Sequence, residues 1–70
     1  MSEGVECHSG FTYAEKPVAL TYLGRRLEVA EILAQGRTPE GKWFRVRTSD
    51  GQDFLLRYGE ASGEWQIQQL

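Results

Sequence analysis

Tryptophan and arginine recur together in one short stretch, Trp43-Phe44-Arg45-Val46-Arg47, and Leu55 and Arg57 follow after a turn. Alternate residues of a strand face opposite sides, so Phe44 and Val46 on one side leave Trp43, Arg45 and Arg47 on the other. Two chemistries use that set. Trp and Arg are enriched at the hot spots of protein interfaces, where the ring buries area and the guanidinium forks onto oxygen acceptors. The same residues hold single-stranded nucleic acid by stacking bases and pairing phosphates. In the plain structural alternative, Trp43 covers part of a thin sheet, Arg57 stacks on it, and Asp53 neutralises Arg47.

Reaction chemistry is poorly supplied. His8 is the single histidine and Cys7, its neighbour, the single cysteine. On a strand the two point to opposite faces and cannot form a Cys–His dyad. Cys7 reads as a small core residue and His8 as an exposed strand residue. Zinc needs three or four ligands, and this pair falls short. Gly36-Arg37-Thr38-Pro39-Glu40-Gly41-Lys42 contains Gly, Thr and Lys, but not in the order of a phosphate loop. Pro39 also removes a backbone donor such a loop uses. The segment reads as a polar hairpin loop with a Pro-Glu-Gly turn. Glu28 and Glu31 read as solvated strand or bulge residues rather than a catalytic pair. No catalytic residue, cofactor or metal ligand is expected, and the chain is not expected to be an enzyme.

The chain has 70 residues, 40% hydrophobic and 26% charged, which is the size of one small domain over residues 1–70, with 1–3 and 70 loose at its ends. Such a chain buries only about 60% of its unfolded surface, so its core is thin. Charge is unevenly spread. Residues 25–57 hold seven cations against five acids, net +2, and the remainder holds one cation against five acids, net −4. A pI near 5.3 disfavours nucleic acid, whose partners usually lie above about 9. No apolar run approaches the roughly 18 residues of a membrane span. The acidic start lacks the order of a signal peptide, and one cysteine suits a reducing compartment, so the cytosol is the expected location. A monomer is the expected state.

The elements that position the Trp–Arg set follow from glycine and proline punctuation, which leaves the pieces Glu3–His8, Val18–Leu23, Arg26–Ala34, Lys42–Thr48, Gln52–Tyr58 and Glu64–Gln69. A two-residue turn at Gly24-Arg25 would place Tyr22 opposite Leu27 and Leu20 opposite Val29. A three-residue turn at Ser49-Asp50-Gly51, with Gly51 left-handed, pairs Val46 with Phe54 and Phe44 with Leu56. On the other face it pairs Arg47 with Asp53 and Trp43 with Arg57. A loop at residues 59–63 returns Trp65 and Ile67 towards Tyr58 and Leu56. In Arg26–Ala34, Ile32 falls out of phase. Either a bulge sits near Ala30-Glu31 or residues 28–35 form a short helix; the bulged strand is preferred, because the Gly24 turn wants an antiparallel partner and a bulge bends a sheet towards closure. The expected fold is all-β, an antiparallel meander of five to six strands curled into a small SH3-like or OB-like barrel. Its core set is Val5, Val18, Leu20, Tyr22, Leu27, Val29, Phe44, Val46, Phe54, Leu56, Trp65 and Ile67.

Residues 13–17 (Tyr-Ala-Glu-Lys-Pro), Gly24–Leu33, Phe44–Tyr58 and Gly63-Glu64-Trp65 together resemble a family of small uncharacterised bacterial proteins, a domain of unknown function. That family often carries Arg-Trp where this chain has Gln35-Gly36. Phe44–Leu56 followed by Trp65 is also similar to the small C-terminal β domain of some bacterial proteins related to Y-family lesion-bypass DNA polymerases. The first resemblance implies a structural module without catalytic motifs, and the second an accessory role near DNA repair. The expected function is therefore a non-enzymatic binding module, taking a protein partner through Trp43, Arg45, Arg47 and Arg57. A nucleic-acid accessory module using the same residues is the alternative.

Overall fold

The computed structural model describes residues 4–8 and 16–70, with His8 by its backbone alone. Six strands follow one another: β1 (Gly4–His8), β2 (Lys16–Tyr22), β3 (Arg25–Thr38), β4 (Gly41–Thr48), β5 (Asp53–Gly59) and β6 (Glu64–Gln69). Each pairs antiparallel with the next, and the meander curls into a half-barrel. This is the architecture expected from the sequence. Residues 1–3 and 13–15, which entered the sequence reading, lie outside the described residues. Leu70 lies past β6, and its amide donates to the Asp53 carbonyl at 3.0 Å.

The 14-residue strand β3 makes the curl. Its first part, up to Glu28, pairs with β2; from Val29 onward it pairs with β4. The register shifts between Val29 and Glu31 and again between Ile32 and Ala34, so Ala30 and Leu33 are extra residues. The first bulge lies where it was expected and no helix forms. The second was not anticipated. Each bulge sharpens the right-handed twist and swings the strand out of one sheet into the next. The Ala30 bulge also cures the phase problem: Glu31 is exposed and Ile32 packs on the core.

Two turns differ from expectation. The β2–β3 hairpin turns at Leu23-Gly24, with Tyr22 opposite Arg25 and Leu20 opposite Leu27. Both corner residues have positive φ, 52° and 79°, as a type I′ turn requires, and that turn's twist matches the strands it joins. Relative to the Gly24-Arg25 turn, the register slips by two residues. Side chains alternate with period two, so the inward face survives the slip. At the other end, β3 continues through Gly36 to Thr38, where a loop was expected, and Thr38 pairs with Gly41 across a turn at Pro39-Glu40. The Thr38 hydroxyl accepts the amides of Glu40 and Gly41, both at 3.2 Å, and Pro39 has no amide to leave unpaired.

The β4–β5 hairpin has the expected register throughout, from Trp43 opposite Arg57 to Arg47 opposite Asp53. Gly51 is left-handed, φ 87°. The buried Thr48 hydroxyl donates to the Asp50 carboxylate and accepts the Gln52 amide, which locks the turn. The β5–β6 hairpin sets Trp65 opposite Tyr58 and Ile67 opposite Leu56, also as expected.

The core is Leu20, Phe44, Val46, Phe54 and Leu56, all buried, with Val5, Tyr22, Leu27, Val29, Ile32, Trp65 and Ile67 packed around them. The Tyr22 ring meets Phe54 edge-on at 5.2 Å between centroids, and Trp65 leans on Tyr58 at 5.0 Å. Val18 is the one expected core residue that lies outside, 44% exposed. In the β1–β2 ladder Glu6 faces Ala19 but Cys7 faces Pro17, so Val18 is a bulged residue. Ala19 and Pro17 are buried instead.

Two glycines carry opposite kinds of constraint. A Cβ at Gly51 meets nothing within 4 Å, so its only penalty is the left-handed backbone, and Gly51→Ala is expected to cost about 1 kcal/mol. A Cβ at Gly41 would sit 1.8 Å from the Tyr58 carbonyl oxygen, so Gly41→Ala should cost more than Gly51→Ala. Urea midpoints of the two variants test this; equal midpoints would count against it. Phe54→Ala should cost roughly 3 to 5 kcal/mol, enough to unfold so small a domain, as read by loss of near-ultraviolet dichroism.

Candidate functional site

The outward face of β3–β6 is laid out by three ladders. Gly36, Trp43, Arg57 and Gln66 form one row across it, and Ala34, Arg45, Leu55 and Gln68 form the next. Arg47 lies beyond, between Glu31 and Asp53. The pleat thus brings all four expected site residues to one side of the sheet.

Trp43 is half-buried, and the reason lies across the strand pair. A Cβ on Gly36 would lie 2.7 Å from the indole Nε1 and 2.9 Å from Cε2. The ring therefore lies flat over the backbone of Gly36, in space only glycine leaves open. Sequence reasoning missed this support because Gly36 was read as part of a loop. The signal was a glycine one turn away from an aromatic in a strand pattern.

The arginines separate into different roles. Arg47 forks onto Asp53, Nε to Oδ1 at 2.9 Å and Nη2 to Oδ2 at 3.3 Å, the expected cross-strand pair. Arg57 does not stack on Trp43. Its Nη2 donates to Gln68 Oε1 at 2.9 Å, and the cation–π contact among the described residues is Lys42 Nζ, 5.6 Å above the Tyr58 ring. Arg45 is exposed in the row between them.

A groove of about 610 Å³ opens beside the indole. Trp43 and Leu55 supply its apolar surface; Lys42, Arg57, Glu40 and Glu64 bring two charges of each sign to its margin. Trp43 and Arg57 line it, whereas Arg45 and Arg47 flank it. The groove is suited to hold an apolar group within a ring of balanced polar contacts. Among the described residues no three of His, Cys, Asp and Glu gather as a metal site would need, and no helix is long and apolar enough to cross a membrane. Cys7 is half-buried in β1 and remote from the groove residues in the ladder order; the His8 side chain lies outside the described residues.

No family model, curated protein or solved structure matches the chain.

Three carboxylates, Asp53, Asp50 and Glu6, are held below their ordinary values. The hydrogen bond from Arg47 lowers Asp53, those from Thr48 and Gln52 lower Asp50, and that from Arg26 lowers Glu6. A lowered carboxylate contributes stability above its ordinary value, 3.8 for Asp and 4.5 for Glu, and loses it as pH falls through the lower folded value. The urea midpoint should therefore hold from neutrality to the upper edge of that range and fall below it. Asp53→Asn should flatten part of that fall, and an unchanged slope would show that the Arg47 pair does not contribute.

Proposed function

We propose that this chain is a non-enzymatic, cytosolic binding module of bacterial type that takes a segment of a protein partner on its Trp43 face. The observation that carries the reading is the groove beside a half-exposed indole fixed on Gly36. A pre-positioned ring loses little freedom on binding, which is why such residues dominate interface energies. The balanced charge at the margin supports a peptide, with its own mixed charges and amides, over a polyanion.

Exposed Arg45 and Arg57 on the same face favour a second reading, in keeping with the resemblance to domains near DNA repair: an accessory module that holds single-stranded nucleic acid. The two readings part on salt. Phosphate contacts make affinity fall steeply as salt rises, and a groove of balanced charge is much less sensitive.

The test is affinity capture from a bacterial lysate, run in parallel with wild type and Trp43→Ala, followed by titration of whatever wild type retains. A protein ligand weakened roughly 30-fold or more by Trp43→Ala supports the first reading. Arg45→Ala should then act chiefly on association rate and its salt dependence. A single-stranded oligonucleotide that binds with a steep salt slope supports the second reading instead. A ligand held equally by wild type and Trp43→Ala removes this face as the site.

A further inference from the structure

Strand β6 ends the sheet, and no strand is hydrogen-bonded to its outer side among the described residues. β1 comes near it across the mouth of the half-barrel without forming a ladder. The direction of its backbone groups follows from one hydrogen bond. The Leu70 amide donates to the Asp53 carbonyl, so Leu70 faces β5. The β5–β6 ladder runs without a register shift, and backbone groups alternate along an antiparallel strand. Gln68 and Gln66 therefore also face β5, and Trp65, Ile67 and Gln69 each turn an N–H and a C=O to the open side.

Most open edges are guarded by lysine, proline or a bulge. β6 has none of these, and past Glu64 it carries no charge. On the inner face Trp65 and Ile67 remain half-exposed, so the core is unfinished along this edge.

We propose that β6 pairs antiparallel with β6 of a second copy of this chain, about a two-fold axis through Ile67. The register follows from the backbone. Ile67 opposite its symmetry mate, with Trp65 opposite the other copy's Gln69, satisfies every outward N–H and C=O of those three residues in both copies. On the outer face Gln66 meets Gln68, amide to amide. On the inner face the two Ile67 side chains cover each other. The two Glu64 side chains fall at opposite ends of the pair and do not meet each other. Such an axis stands perpendicular to the sheet, which leaves both Trp43 grooves on the same side of one continuous sheet. The inference does not depend on what those grooves bind.

Sedimentation of the full chain across protein concentration tests it. The mass should rise from one chain towards two over roughly the micromolar to millimolar range expected of a small edge interface. Gln69→Pro removes an outward amide that β5 does not use, so its dichroism should match wild type while its dimer dissociation constant rises at least tenfold. The pair Gln66→Lys with Gln68→Lys sets like charges opposite each other and should also abolish the dimer. Gln66→Lys with Gln68→Glu sets opposite charges together in this register and should restore it. A wild-type mass that stays at one chain throughout overturns the proposal and leaves the edge to β1 or to an extended segment of another protein. A dimer that Gln69→Pro leaves intact overturns it equally.

Discussion

One strand has to belong to two sheets. A six-stranded meander of 70 residues cannot bury a core against a flat sheet, because a flat sheet has nothing to face. β3 solves this by pairing with β2 in its first part and with β4 in the rest, with extra residues at Ala30 and Leu33 where the direction changes. Leu20, Tyr22 and Leu27 are thereby folded over Val46, Phe54 and Leu56. Without the bulges, Val29 and Ile32 would lie on opposite faces and one of them would be lost to the core. The bend also decides what remains outside: the continuation of β3 past Leu33 is the strand against which Trp43 rests.

The inward and outward faces were legible where aromatic and branched residues alternate strictly. Phe44, Val46, Phe54 and Leu56 admit one sensible register around Ser49-Asp50-Gly51, since a two-residue turn at Asp50-Gly51 would set Phe44 against Arg57. The same alternation placed Trp43, Arg45, Arg47 and Arg57 on one face, and the Arg47–Asp53 fork forms as the register requires. The Ala30 bulge was legible from the phase of Ile32, but the extra residues Leu33 and Val18 were not. A bulge has no signature in composition, and Val18, a good strand former, gave no sign that Pro17 and Ala19 would take the interior. The β2–β3 turn misled for a related reason. Its first corner is Leu23, φ 52° and 74% exposed, a conformation that normally costs a side chain about 1 to 2 kcal/mol. Local preference argued for glycine at that corner, but the pairing of Leu20 with Leu27 over the core outweighs it.

The site was half legible. Its residues could be read from the pleat, but its geometry depends on Gly36, which the sequence presents as one of several loop glycines. On a strand, a glycine gives up packing and β propensity. Here the indole of Trp43 occupies the vacated space, so the loss on β3 becomes a fixed ring on β4. The groove beside it exists because the ring lies down on Gly36 instead of standing against Arg57.

The charge pattern shows how folding rewrites a linear reading. The middle of the chain is basic in sequence, yet two of its arginines meet acids in the fold and a third meets an amide. Glu6 of β1 comes back to fork with Arg26 at 2.8 and 3.0 Å, and Glu28 lies 3.6 Å from the same guanidinium. Asp53 takes Arg47, Gln68 takes Arg57, and Glu64 from the acidic tail lies at the groove margin. These contacts are exposed, and exposed pairs contribute little to stability. Their consequence is that Arg26 and Arg47 do not stand on the surface as unopposed cations. A polyanion would have to displace Asp53 and Gln68 from their arginines before phosphates could bind there. An uncharged or mixed segment faces no such competition at the indole and Leu55. The arrangement of acids around the arginines, more than the net charge of the chain, is what supports the proposal of a protein partner for this face.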